Sequence, residues 1–292
     1  MGVKAFSFGG GVQSMACLVL AAQGKIDYQT FLFSNVGDDS EYPETMIYLR
    51  EVAIPYAKQH GLNLIELKKT RRDGTTETLW EKLHRTERSI DIPMRLGSGA
   101  PGKRSCTAGF KINVVAKWMR QAGATKDDPG VVGVGISTDE IRRMKPSQLP
   151  YLINAHPLID LELTRDDCKK LISDAGLPVP PKSSCFFCPF HTIKEWRRLY
   201  DEQPELFARS VALEKMINER RLALGRDPMY LTGALRPLNE VVNGSHKWQL
   251  SFLEQAQDGQ YSCGPFTCDG GSGGDDSADG LIITAKKITK KD

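Results

Sequence analysis

The chain has 292 residues, 40% apolar and 26% charged, with 39 Lys plus Arg, 36 Asp plus Glu and a net charge of +3. This ordinary globular composition excludes collagen-like, mainly disordered and disulfide-scaffold classes, and the charge neither demands nor excludes a nucleic-acid partner. Seven scattered cysteines, behind a start that reads as a strand and not as a leader, point to a reducing cytoplasm.

Residues 3–8 read as a strand and 13–22 as a helix stopped by Gly24. The longest apolar stretch, 15–22, is far short of the about 20 residues a membrane helix needs, so no membrane association is expected. Residues 30–34 read as a short strand, 44–60 as a helix that Pro55 should kink, and 63–67 as a third strand. Residues 110–121 follow as a helix ended by Gly123, and 131–136 as a further strand. This alternation predicts an α/β fold, a parallel sheet with helices on both faces. Thr164 opens a capping-box pattern and a helix toward Ile172, ended by Pro178, Pro180 and Pro181. Residues 192–200 and 205–224 read as charged helices, 270–280 as a Gly/Ser/Asp-rich linker, and 281–292 as a basic tail. The expected organisation is a main domain over 1–200, a helical extension over 201–268, and linker and tail over 269–292.

Between the first strand and helix lies Ser7-Phe8-Gly9-Gly10-Gly11-Val12-Gln13-Ser14. Three glycines let a backbone turn sharply and pass close to a phosphate, and a helix N-terminus offers N–H groups to an anion. Ser14 can add a hydroxyl donor. No Gly-Lys-Ser/Thr follows, so this is not a Walker A loop. Cys185-x-x-Cys188, followed by Pro189, places two sulfurs on one tight turn suited to a metal or cluster, with thioredoxin-like redox chemistry as the competitor. Asp139 and Glu140 follow the strand over 131–136 and could hold Mg²⁺. Lys103, Arg104, Lys111, Arg142, Arg143 and Lys145 could meet phosphate or sulfate. Lys194, Arg197 and Arg198 share a helix face that could meet RNA or DNA, with a plain solvated face as the competing reading.

Gly9-Gly10-Gly11-Val12-Gln13-Ser14 resembles the Ser-Gly-Gly-x-Asp-Ser loop of the PP-loop ATP pyrophosphatase superfamily, with Gly9 in place of Ser and Gln13 in place of Asp. Asn35-Val36-Gly37 with Tyr42-Pro43-Glu44-Thr45, Cys106 to Lys111, residues 136–143, His156-Pro157-Leu158-Ile159-Asp160 and Cys185 to Phe190 resemble, in order, motifs of its phosphoadenosine phosphosulfate (PAPS) reductase branch. The resemblance covers roughly residues 3–200. It implies that ATP, with Mg²⁺, is held by Ser7, Phe8, Gly9, Gly10, Gly11, Gln13 and Ser14, with adenine beside Ser34, Asn35 and Gly37. It also implies catalytic parts for Ser14, Lys111 and Asp139.

The resemblance brings Cys106 to the Cys185/Cys188 pair, and Cys168, one turn into its helix, is the favoured fourth ligand. Cys263 and Cys268 are outside candidates, His191 a neighbouring one, and Cys17 reads as a core residue. Four thiolates suit zinc or a closed [4Fe–4S] cluster, whereas three leave one iron open to sulfide. The leading reading is adenylation of a substrate with release of pyrophosphate, then sulfur transfer, with a nucleobase in RNA or DNA as acceptor and a separate sulfur donor as partner. Sulfonucleotide reduction is the alternative, although Ser262-Cys263-Gly264 lacks the glutamate and histidine of the thioredoxin-dependent reductases. A non-catalytic nucleotide- or nucleic-acid-binding module with structural zinc is the third.

Overall fold

The computed structural model describes residues 2–85 and 89–243. Cys263, Cys268, the linker and the basic tail lie outside the described residues. Five strands form one parallel sheet: β1 (Lys4–Phe8), β2 (Thr30–Asn35), β3 (Asn63–Lys68), β4 (Gly130–Val134) and β5 (Leu152–Ala155), in the order β3-β2-β1-β4-β5. The expected parallel α/β sheet is present. β5 has no counterpart in the sequence reading, because four residues with one buried side chain carry no readable period.

The helices are α1 (Val12–Ala22), α2 (Pro43–Tyr48), α3 (Ile54–Gln59), α4 (Leu79–Arg85), α5 (Ser105–Thr107), α6 (Asn113–Gln121), α7 (Pro157–Asp160), α8 (Arg165–Asp174), α9 (Ile193–Glu202), α10 (Pro204–Ala223) and α11 (Leu238–Asn243). The kink expected at Pro55 takes the form of a π-helical turn, Leu49–Ala53, joining α2 to α3. Pro55 stands in the first turn of α3, where its missing N–H costs little. A second π turn, Ala108–Ile112, precedes α6. Capping boxes Thr164/Asp167 and Thr192/Glu195 open α8 and α9.

Alternation along β1 and β2 divides the core. Phe6, Phe8, Phe31 and Phe33 face α1 and α8, while Ala5 and Leu32 face Val115, Ala116 and Met119 of α6. A further core joins Val36, Leu79, Phe186 and Phe187 to Phe207 and Leu213, so α10 shares its packing with segments before residue 200. Buried Glu214 of α10 accepts the N–H groups of Leu231 and Leu238, each at 2.7 Å, and ties down the chain leading into α11. Among the described residues, no helix is long and apolar enough to cross a membrane.

Candidate functional site

The chain runs outward from β1 to β2 and β3, then returns to β4 and β5 on the other side. This order puts a topological switch point between β1 and β4, and ligands of open α/β sheets sit beyond the strand ends there. The glycine loop leaves β1 at that point. Gly10 has φ +76°, the left-handed region. A Cβ on Gly10 would meet Phe33 at 3.2 Å and Ser183 and Thr45 at 3.3 Å each. Gly11, the N-cap of α1, faces open space and offers no side-chain cap, so the first N–H groups of α1 are left for an anion. Three buried hydroxyls at this end, Ser7 Oγ, Ser34 Oγ and Thr45 Oγ1, have no hydrogen-bond partner among the described residues. Buried polar atoms are normally paired, so three orphans around a phosphate-type loop fit donors awaiting a ligand.

Other loop residues have different duties from those expected. The Phe8 side chain is core, packed against Phe31 and Phe33, so it can offer a ligand only backbone. The Ser14 hydroxyl donates back to the Gly11 carbonyl at 2.8 Å. Gln13 accepts from Arg165 Nη1 at 2.9 Å and donates to Glu140 at 3.0 Å and Ser137 at 3.4 Å. Its amide is a neutral strut between the loop, the exit of β4 and the start of α8. Gly135 permits this approach, since a Cβ there would lie 3.2 Å from the Ser14 nitrogen. A glycine in an apolar strand pattern is the signal that could have marked it. Arg165 and Ser183 carried no such signal, and Thr45 only its place in the Tyr42-Pro43-Glu44-Thr45 motif.

Asp139, expected to have a catalytic part, accepts the Arg165 N–H at the start of α8 at 2.8 Å. Glu140 is the carboxylate turned to the loop, and it also pairs with Arg143 at 2.6 Å. Asn35 closes a turn, accepting from Gly37 N–H at 2.7 Å and donating to Asp38 and Glu66. Gly37 has φ +129° with Thr78 packed against it, so both residues shape the loop after β2. Arg198 is held by Glu44 at 2.9 Å and Glu202 at 2.7 Å, which spends its charge within the α9 surface.

The cysteine turn lies beside the same loop. Tyr42 N–H donates to Ser184 O at 3.0 Å and Phe186 N–H to Ser40 O at 3.1 Å, pairing the segment ahead of the turn with the chain after β2. Cys188 N–H closes the turn on Cys185 O at 3.1 Å, and Cys106 enters through its N–H to Asp91 O at 2.7 Å. Packing pushes the Cys185 thiol up despite some surface exposure. Glu41, Cys188 and Cys106 add to that rise, while buried Lys111 opposes it. Cys106 and Cys185 pack against the same core, and Cys188 closes the turn that Cys185 opens.

Cys168 does not join them. It is fully buried between α8 and α1 with Cys17 and Ile172, and burial raises its thiol to about 12. The favoured fourth position thus lies on the core face of α8, which Cys168 and Ile172, four apart, form. Three thiolates suit a cluster with one open iron and four suit zinc or a closed cluster, and among the described residues no three His, Cys, Asp or Glu side chains are arranged to hold a metal ion.

His191 is also not placed as a ligand. It is buried against Trp196, with ring centroids 4.8 Å apart, and its Nε2 meets Ser184 Oγ at 2.9 Å. Burial lowers its pKa from 6.5 to about 4. An unfolded histidine takes a proton as pH falls below about 6.5, whereas the folded one waits until about pH 4. Stability should therefore fall as pH drops through that window, by up to about 3 kcal/mol. Urea midpoints across the window check this: His191→Gln should lose the part of the slope that wild type shows, and identical slopes would refute a buried neutral imidazole.

No protein-family model matches the chain, and no curated protein matches it. Among solved structures, the chain is similar to the U34-tRNA thiolase NcsA from Methanococcus maripaludis with its [4Fe-4S] cluster, at a TM-score of 0.38 and 13% identity over 74% of this chain and 72% of that one. At that score the likeness adds nothing to what the sheet itself shows.

Proposed function

We propose that the chain is an ATP-dependent enzyme of PP-loop type that adenylates a nucleobase in RNA or DNA and then exchanges the adenylate for sulfur. One observation carries this reading. Gly10 of the phosphate-type loop lies against Ser183, two residues before Cys185, which supports one site for the loop and the cysteine turn. A Gly-rich loop alone supports binding, and a thiol cluster alone supports a structural metal. Their meeting supports a reaction in which activation and sulfur delivery occur side by side.

A carbonyl oxygen of the base attacks the α-phosphorus, the bond to the β-phosphate oxygen breaks, and pyrophosphate leaves. The free N–H groups at the start of α1 face that developing charge, where preorganised donors act most strongly. Ser7, Ser34 and Thr45 supply further donors to the nucleotide. Mg²⁺ would travel with the phosphates, with Glu140 the carboxylate on that side of the loop. Cys106, Cys185 and Cys188 would hold a [4Fe–4S] cluster, whose chemistry when bound is to present sulfide at an iron that no protein thiolate occupies. Lys111 opposes the rise that burial gives the Cys185 thiol. Sulfide then attacks the activated carbon, the carbon–oxygen bond breaks and AMP departs.

With α-labelled ATP and an RNA or DNA acceptor, the expected products are AMP and pyrophosphate. ADP and phosphate as the only products would overturn the reaction. Bound but uncleaved ATP in every condition would favour the binding-module alternative.

A further inference from the structure

The glycine loop has two sides, because the strand order β2-β1-β4 puts β2 on one and β4 on the other. On the β2 side, a Cβ on Gly10 would meet Phe33 and Thr45, and the unpartnered hydroxyls of Ser34 and Thr45 belong to the same side. The Cys185 turn joins that side through the Tyr42 N–H to Ser184 O and the Phe186 N–H to Ser40 O. On the β4 side, Gln13 meets Ser137 and Glu140 from the β4 exit and Arg165 from the first turn of α8.

Arg165 differs from the cations of the outer surface. It is half-buried, and its Nη1 donates at 2.9 Å to the amide oxygen of Gln13, a loop residue only 6% exposed. Among the described residues its guanidinium pairs with no carboxylate. Asp139 accepts the Arg165 main-chain N–H instead, and Glu140 pairs with Gln13 and Arg143. A guanidinium carries its N–H donors in a fixed fork, and one amide oxygen engages only part of it. The rest of the fork can take a second acceptor, and phosphate oxygens match its geometry.

A nucleotide whose adenosine lies by Ser34 runs its phosphates across the loop toward β4. The α-phosphate then stays nearer the cysteine turn, and the β- and γ-phosphates arrive at Arg165. We infer that Arg165 binds the pyrophosphate half of the nucleotide, and that Gln13 is the positioning residue that holds its guanidinium at the loop. The inference rests on the loop's assignment to ATP in the proposed function. It also gives the amide at position 13 a purpose, since a carboxylate there would compete with phosphate for the same guanidinium.

The test is calorimetric titration of the full chain with ATP, inorganic pyrophosphate and AMP at one Mg²⁺ concentration. Arg165→Ala should bind ATP and pyrophosphate at least about tenfold more weakly, as expected for a lost hydrogen bond to a charged group, and should bind AMP as wild type does. Its fold should survive, because the main-chain N–H still reaches Asp139 and the Thr164/Asp167 box still caps α8. Arg165→Met, which keeps the aliphatic stem, repeats the measurement. Gln13→Ala should also weaken pyrophosphate binding, and Gln13→Ala/Arg165→Ala should bind no more weakly than Arg165→Ala, since Gln13 acts through Arg165. Unchanged pyrophosphate affinity in a folded Arg165 variant, an equal loss for AMP and pyrophosphate, or loss of the cooperative melt in both Arg165 variants overturns the role of Arg165. A further loss on adding Gln13→Ala to Arg165→Ala overturns that of Gln13. Wild type that binds ATP but not pyrophosphate overturns the inference and leaves the loop reading intact. Wild type that binds neither overturns the loop reading and this assignment with it.

Discussion

Gly10→Val is expected to abolish ATP binding while leaving a folded protein. Gly10 holds φ +76°, which a β-branched residue occupies only under strain. The added Cβ would sit 3.2 Å from Phe33 and 3.3 Å from Ser183 and Thr45, and two methyl groups would extend from it. The loop can relieve that crowding only by swinging outward, which removes the cradle in which an anion would lie. Gly11→Ala is the informative companion. Gly11 has φ −102°, and a Cβ there would meet nothing within 4 Å, so the alanine variant strains nothing in the unliganded fold. Its side chain nonetheless occupies the space in front of the first turn of α1. Titration calorimetry should show no ATP binding for Gly10→Val, with a cooperative melt retained, and weakened binding for Gly11→Ala. Unchanged affinity in a folded Gly10→Val protein would remove the phosphate role from this loop.

The loop is legible in the sequence because local chemistry dictates it: an apolar run, three glycines and an apolar helix in immediate succession. The parallel sheet follows from the same alternation, and both capping boxes are local as well. What escapes depends on the third dimension. Cys168 reads as a thiol-site residue on the strength of being a cysteine in the right stretch, although its i, i+4 relation to Ile172 already marks a core face. Asp139 and Glu140 are indistinguishable as neighbours in sequence, and only the path of the chain after β4 turns one to α8 and the other to the loop.

Gln13 shows how a departure from a familiar motif becomes intelligible in the fold. A carboxylate at that position would face Glu140 across the 3.0 Å that the amide now bridges. Like charges at that distance are costly, and an amide can donate to Glu140 while accepting from Arg165. The amide therefore fits its neighbours as they stand, and it binds loop, β4 exit and α8 into one unit.

The second large effect is expected at the cysteines. Anaerobically purified wild type supplied with iron and sulfide should be brown, and Cys185→Ser, Cys188→Ser or Cys106→Ser should each lose most of the iron. These are the sulfurs of the cysteine turn and of α5, and a serine hydroxyl is a poor ligand for a cluster. Cys168→Ser should keep the iron, because its side chain belongs to the α1–α8 core with Cys17. Its cost should appear in stability instead, about 1–3 kcal/mol for a buried hydroxyl without a partner, read from urea unfolding. The contrast separates a three-thiolate site from a four-thiolate one. Iron lost from Cys168→Ser as completely as from Cys185→Ser would mean that α8 contributes a ligand and the site is closed, leaving no iron free for sulfide. Wild type that takes up neither iron nor zinc would make all three thiols structural and remove sulfur delivery from the proposed reaction.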